Sequence, residues 1–177
     1  MKQLFMAGAL LLSLAASAQD GEKKNLVKVN MLSPLVRTGS FFYERKISSN
    51  SSLQLGVFYT GSKFDELKLR GFGITPEFRY YASEKGAMQG FYLGPFLRYQ
   101  NYELTELNNK GKLNTFGGGL LIGKQWIFSK GISLDIFAGP SYNSGSVKVT
   151  NGTDNFDLPG GVNGFGARAG LTVGIAF

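Results

Sequence analysis

The chain has 177 residues, no cysteine, no histidine and a formal net charge of +7. Without histidine it lacks the usual general base, the Ser-His-Asp arrangement and the commonest metal ligand, and without cysteine it can form no disulfide framework. The length suits one domain, and a mean hydropathy near zero excludes a bundle of membrane-spanning helices.

The N-terminal residues have the pattern of a secretory signal peptide. Lys2 precedes an apolar run from Leu4 to Ala16, and Ala16-Ser-Ala18 is the small-residue pattern of a signal-peptidase site. The apolar run is shorter than the ~20 residues that a membrane-spanning helix needs. We therefore predict a cleaved signal peptide at residues 1–18 and a single exported domain at residues 19–177.

Eight later segments alternate between apolar residues and small or polar ones, and turn residues bound them. The predicted strands are Leu26–Ser33, Thr38–Ile47, Leu53–Thr60, Arg70–Ala82, Phe91–Tyr102, Leu113–Phe128, Ile132–Asn143 and Gly164–Phe177. Pro76, Pro95 and Pro140 fall inside three of these segments, and proline normally argues against an interior strand.

The connections between these strands alternate in length. Three are short turns, at Ser48–Ser52, Ser83–Gly90 and Ser129–Gly131. The third, fifth and seventh connections are longer. The fifth is Glu103–Lys112, with a hairpin turn predicted at Asn108–Gly111. The seventh, Asn143–Asn163, has a hairpin signal at Asn151–Gly152 with a strand-like segment, Ser146–Thr150, before it. Exported barrels have short periplasmic turns and longer outer loops, so this alternation predicts which end is which.

The alternation also predicts which side chains face lipid. In the last strand, Phe165, Leu171, Val173 and Ile175 share one face, while glycines, Arg168 and Thr172 share the other. Outward aromatic residues fall into two belts, as expected at the two interfaces of a bilayer. The periplasmic belt is Tyr43, Tyr80, Phe91, Trp126 and Phe177, and the outer one is Tyr59, Phe72, Tyr99, Phe116, Tyr142 and Phe165.

These patterns predict an all-β fold, an eight-stranded antiparallel up-and-down transmembrane β-barrel in the outer membrane. A soluble sandwich or lipocalin-like barrel would turn the same apolar face inward. That arrangement would leave a glycine-lined exterior, which is an unusual surface, so the membrane barrel is favoured.

Six charged residues fall on the predicted lumen side, namely Glu44, Glu77, Arg79, Arg98, Asp135 and Arg168. Charges there are tolerable only when paired and hydrogen-bonded, so we expect internal ion pairs that fill the barrel. Paired carboxylates also suit general acid and base chemistry, which is the less favoured interpretation. Eight strands leave an interior just wide enough for side chains, which argues against a porin-like channel.

No segment carries a recognisable catalytic, cofactor-binding or metal-binding motif. The glycine-rich pieces Gly71–Gly73, Gly117–Gly119 and Gly164–Gly166 lie inside strands, whereas a phosphate-binding loop precedes a helix. Basic residues of the outer loops could bind lipopolysaccharide, but acidic residues are interleaved with them, so a mixed solvated surface is favoured. The same interleaving gives no support for nucleic-acid binding.

Four segments carry a family resemblance, namely Asn25–Pro34, Phe42–Arg45, Pro76–Tyr81 and Gly174–Phe177. With them the mature chain resembles the small eight-stranded outer-membrane barrels of Gram-negative bacteria, of the OmpA and OmpX types. It looks closest to uncharacterised outer-membrane barrel families of Bacteroidota. The resemblance implies outer-membrane lipid as a partner and recognition of the C-terminal strand by the barrel-assembly machinery.

Two functions stay open at this point. In the first, the protein is a non-enzymatic barrel with a filled lumen that acts structurally or binds a surface protein through Glu103–Lys112 and Asn143–Asn163. In the second, the barrel holds a small apolar or lipid ligand in its mouth, which is lined by Tyr81, Tyr92, Phe96 and Tyr102. The sequence predicts no enzyme and no cofactor.

Overall fold

The computed structural model describes residues 23–64, 67–106, 109–151 and 162–177. Eight antiparallel strands form one closed barrel in chain order, and β1 pairs with β8 to close the ring. The strands are β1 (Asn25–Asn30), β2 (Thr38–Lys46), β3 (Ser51–Phe64), β4 (Leu67–Tyr81), β5 (Gly90–Glu106), β6 (Asn109–Ile127), β7 (Ile132–Asn151) and β8 (Gly164–Ala176). The predicted all-β, up-and-down barrel of eight strands is confirmed.

The predicted signal peptide, residues 1–18, lies outside the described residues. Within the described ranges, no helix is long and apolar enough to cross a bilayer.

The period-two alternation places side chains as the sequence predicts. Residues of the apolar face are exposed on the outside of the barrel, and these include Leu53, Phe72, Leu97, Ile122 and Phe165. All the predicted belt residues are exposed or half-buried on that outer face. The small and polar face points into the lumen, where Glu44, Arg79, Gln125 and Asp135 are fully buried.

Most large aromatic residues in the lumen lie directly across from a glycine on the next strand. The pairs are Phe42–Gly56, Phe58–Gly73, Phe96–Gly119, Tyr92–Gly123, Tyr102–Gly71 and Phe137–Gly170. A Cβ atom on Gly123 would meet the Tyr92 ring at 2.5 Å. The glycines therefore give the rings room in a narrow barrel, which is the close packing that the sequence favours over a phosphate-binding loop.

The three interior prolines lie within paired strands. Pro76, Pro95 and Pro140 are each exposed and retain a partner residue on one neighbouring strand. On the other side the ladder is interrupted, for example between the Ile74–Tyr99 and Glu77–Phe96 pairs. Proline has no N–H to donate, so it is accommodated where the strand makes no backbone hydrogen bonds to the neighbour on one side.

Several predicted strand ends are wrong, and the errors are systematic. β1 ends at Asn30 rather than Ser33, and a 3-10 turn, Ser33–Val36, follows it. By contrast, β3 to β7 run further from the short turns than predicted. Asn109–Gly111, predicted as part of a hairpin turn, belongs to β6, while residues 107–108 and 152–161 lie outside the described residues.

The extra length forms what we call the outer sheet, the part of β3 to β7 that extends beyond the closed ring. The β5–β6 ladder continues to the Glu106–Asn109 pair, and the β6–β7 ladder to Lys110–Asn151. β8 pairs with β7 only from the Asn143–Gly164 pair to the Ile132–Ile175 pair, toward the short-turn end of the barrel. Among the described residues, residues 144–151 of β7 therefore have a partner strand on one side only.

Candidate functional site: a buried charge network and an outer cavity

Lys28 lies at the centre of the buried charges. Its Nζ donates to Glu44 Oε2 at 2.6 Å, to Gln125 Oε1 at 2.7 Å and to Asp135 Oδ2 at 3.2 Å. It projects from β1, while its three partners come from β2, β6 and β7. One ammonium group therefore ties together strands from different sides of the barrel.

Arg79 extends the network from the opposite wall. Its Nε donates to Glu77 Oε1 at 2.6 Å, and its Nη1 lies 2.9 Å from Asp135 Oδ2 and 3.4 Å from Glu44 Oε2. Arg168 Nη1 then donates to the second oxygen of Glu77 at 2.6 Å. We call these six residues, Lys28, Glu44, Glu77, Arg79, Asp135 and Arg168, the charge network.

Charges in the network balance, because it contains three cations and three carboxylates. Neutral donors add to it: the Tyr81 hydroxyl donates to Glu44 at 2.6 Å, and the Tyr92 hydroxyl to Asp135 at 3.0 Å. The Arg79 guanidinium also lies 4.2 Å from the centre of the Tyr92 ring. Buried charges that are paired and hydrogen-bonded in this way are stable, whereas a lone one is not.

Five of the six predicted lumen charges come together, and the sixth does not. Arg98 faces the lumen, but within the described ranges no carboxylate forms an ion pair with it. Lys28 was missed by the sequence prediction. The alternation did indicate it, because its neighbours Val27 and Val29 share the outward apolar face of β1, which places Lys28 on the lumen face.

Layers of packed side chains lie above and below the charge network. Below it, Met88 of the β4–β5 turn is buried against Leu26 and Ala176, and its carbonyl accepts a hydrogen bond from Gln125 at 2.8 Å. A second buried cluster comprises Tyr81, Tyr92, Phe96, Leu121 and Phe137, and a third, nearer the outer sheet, comprises Leu69, Tyr102, Leu104 and Leu113. These layers fill the described lumen from the short-turn end outward.

A cavity of about 280 Å³ interrupts this packing near the outer end of β1 and β2. We call it the outer cavity. Arg98, Arg168, Gln100 and Tyr102 line one part of it, and Ser33, Thr38 and Ser40 line another. The predicted mouth is therefore wrong in part: Tyr102 lines the cavity, whereas Tyr81, Tyr92 and Phe96 belong to the buried cluster beside the charge network. Tyr81 and Tyr92 lie there because they flank the short β4–β5 turn.

The charged outer surface is mixed, as the sequence indicates. Glu103 lies directly across from Arg70 on one side and Lys112 on the other. At the opposite end, Lys124 Nζ lies 4.4 Å from the centre of the Phe91 ring and 5.2 Å from that of the belt residue Trp126. Within the described part of the chain, no group of three or more acidic residues is arranged to hold a metal ion.

Comparison with known proteins gives a family but no characterised relative. No curated protein and no solved structure matches the chain significantly. Residues 4–155 match the family model described as "Protein of unknown function (DUF3575)", which spans most of the chain. The protein belongs to the DUF3575 family, and the structure gives this member a closed barrel of eight antiparallel strands.

Proposed function

We propose that this protein is a non-enzymatic outer-membrane barrel whose lumen is occluded and whose outer sheet binds a surface partner. The observation that carries the proposal is the combination of an apolar exterior with a charged interior. A soluble barrel of this size buries its apolar residues, whereas here the fully buried large side chains include Arg79, Lys28, Glu44 and Glu77.

The exterior supports a lipid environment. Large apolar side chains are exposed on every strand from β2 to β8, for example Phe41, Leu55, Ile74, Leu97 and Ile136. Soluble monomers rarely expose a contiguous apolar patch larger than a few hundred Å². An apolar band between two aromatic belts is instead the pattern of a transmembrane barrel, and outer-membrane lipid is its proposed partner.

The interior supports an occluded lumen rather than a pore. The charge network crosses the barrel, since Lys28 on β1 and Arg79 on β4 share the same two carboxylates, Glu44 and Asp135. Opening a path through it would require these buried ion pairs to separate, which is unfavourable as long as the charges stay buried.

The outer sheet supports a surface-binding role. Transmembrane strands need ~9–11 residues, yet β5, β6 and β7 have 17, 19 and 20. Beyond Gly145, whose N–H donates to Asn163 Oδ1 at 3.2 Å, residues 146–151 have no second partner strand in the described structure, so an extended peptide could add a strand there.

Membrane retention and permeability test the proposal together. Membranes from cells that produce the protein are washed with alkaline carbonate, and purified protein is reconstituted into vesicles loaded with glucose. We expect the protein to stay in the washed membrane and the vesicles to retain glucose. Release into the carbonate supernatant would refute the membrane assignment, and rapid glucose loss would refute the occluded lumen.

A further inference from the structure

In the described part of the chain, strand pairing between β8 and β2 through β1 stops short of the outer end of the barrel wall. β1 pairs with β8 only over Thr172–Ala176, and one further hydrogen bond joins Met31 N to Leu171 O. Among the described residues, Gly164–Gly170 therefore has a partner strand on the β7 side only. Thr38–Ser40 of β2 likewise extends beyond the last β1 pair. We call this part of the wall, between β8 and β2, the seam.

The outer cavity reaches the seam. Its lining includes Ser33, Thr38 and Ser40 from one side of the seam and Ala167 and Ala169 from the other. The turn beside the seam presents apolar side chains to the outside, most of all Leu35, which is 81% exposed. A ligand with a polar head and an apolar chain would thus meet a polar interior and an apolar rim at the same opening.

Inside the cavity, Arg98 is a cation that forms no ion pair with any carboxylate of the described residues. Its Nε is buried and has no hydrogen-bond partner. The second guanidinium that lines the cavity, Arg168, already shares Glu77 with Arg79. The two guanidinium carbons lie 5.4 Å and 4.8 Å from the centre of the same Phe96 ring, so a second positive charge lies in the same part of the lumen as Arg98.

An uncompensated cation in a partly enclosed site is costly unless an anion joins it. Because the charge network is neutral, the surplus that the described residues place around the cavity is the single charge of Arg98. A carboxylate matches that surplus and the forked guanidinium geometry. The cavity volume of about 280 Å³ is ample for such a group.

We propose that the outer cavity binds the carboxylate of a small acid or of a single-chain acidic lipid, with Arg98 as its main contact. Arg168 contributes a second positive charge, and the seam gives the ligand its entry. This site does not depend on the membrane assignment proposed above, because its residues and its opening belong to the barrel itself.

The test is calorimetric titration of the mature protein in a non-ionic detergent with sodium acetate and with sodium octanoate. These two probes share the carboxylate and differ in the chain. Empty micelles are the blank. We expect saturable binding of at least octanoate, weakened at least tenfold by Arg98→Gln, which corresponds to about 1.4 kcal/mol. Arg98→Lys keeps the charge and should retain part of the affinity.

Arg70→Gln is the matched control, since Arg70 is an exposed arginine of β4 outside the cavity. Octanoate binding at least tenfold tighter than acetate binding would assign the site to an acidic lipid, and equal binding would assign it to a small free acid. The proposal is overturned if neither probe binds saturably, or if Arg98→Gln binds as the unaltered protein does while its barrel remains resistant to SDS.

Discussion

Replacing Lys28 by methionine tests whether the charge network holds the barrel together. Lys28→Met keeps most of the apolar stem but removes the ammonium group that contacts Glu44 at 2.6 Å and Asp135 at 3.2 Å. Glu44 is then left with Arg79 at 3.4 Å as its cation. Removing one partner of a buried ion pair typically costs about 3–5 kcal/mol, because the other charge stays buried.

The lower end of that range is expected here, because Ser52 and Tyr81 still donate to Glu44 at 2.5 Å and 2.6 Å. We therefore expect Lys28→Met to lower the free energy of unfolding by about 3 kcal/mol. The measurement is urea unfolding of the barrel in lipid vesicles, followed by the fluorescence of Trp126, the one tryptophan of the chain. Lys130→Met, at an exposed lysine of the β6–β7 turn, is the control and should leave stability unchanged.

A double variant separates charge balance from simple loss of contacts. Lys28→Met combined with Glu44→Gln leaves Arg79 and Arg168 opposite Glu77 and Asp135, so the network is neutral again. The double variant should be more stable than the sum of the single changes predicts, by about 0.5–3 kcal/mol. Strict additivity, or a Lys28→Met effect below about 1 kcal/mol, would mean that the buried ion pairs of Lys28 do not stabilise the barrel.

Three further variants test the packing of the lumen, the exposed apolar face of the barrel and the outer sheet. Gly123→Ala should destabilise the barrel by about 1–3 kcal/mol, because the Tyr92 ring opposite it is held by a hydrogen bond to Asp135 and cannot move away. Gly39→Ala is the control and should leave stability unchanged, because the space around Gly39 is open. Ile122→Arg should cost about 2–4 kcal/mol in vesicles if this exposed residue lies at the bilayer midplane. Deletion of Ser146–Leu158 should preserve SDS resistance and abolish binding of whole cells to a surface partner.

Each of these has an outcome that contradicts it. Equal effects of alanine at the two glycines would mean that the lumen is not tightly packed. An arginine tolerated at residue 122 would place the apolar face away from lipid. Unchanged cell binding by the deletion variant would exclude the outer sheet as the binding surface.

The period-two alternation was sufficient to predict the fold and the direction of each side chain. It works because one face of every strand in the ring is buried and the other is exposed, which constrains residue type at every second position. In the outer sheet the pattern reverses, since the apolar residues Leu69, Leu104 and Leu113 are buried there while Arg70 and Lys112 are exposed. The apolar-outward alternation therefore stopped at Tyr102 of β5, which continues to Glu106, whereas the hairpin signal at Asn151–Gly152 did mark the end of β7.

The candidate site was predicted in part for a related reason. Alternation tells which charges enter the lumen, but not their depth along the barrel. The distinction between Arg168, which pairs with Glu77, and Arg98, which does not, depends on strand register and tilt. The seam likewise depends on where β1 stops pairing with β8, which no residue between Asn30 and Ser33 indicates.

Electrophoretic mobility tests the central claim, a closed barrel embedded in a membrane, most directly. The mature protein is taken from a membrane fraction and run in SDS with and without boiling. A closed barrel resists SDS until it is heated, so we expect a clear shift in mobility between the two samples. Recovery of the protein in the soluble periplasm, with the same mobility before and after boiling, would contradict it.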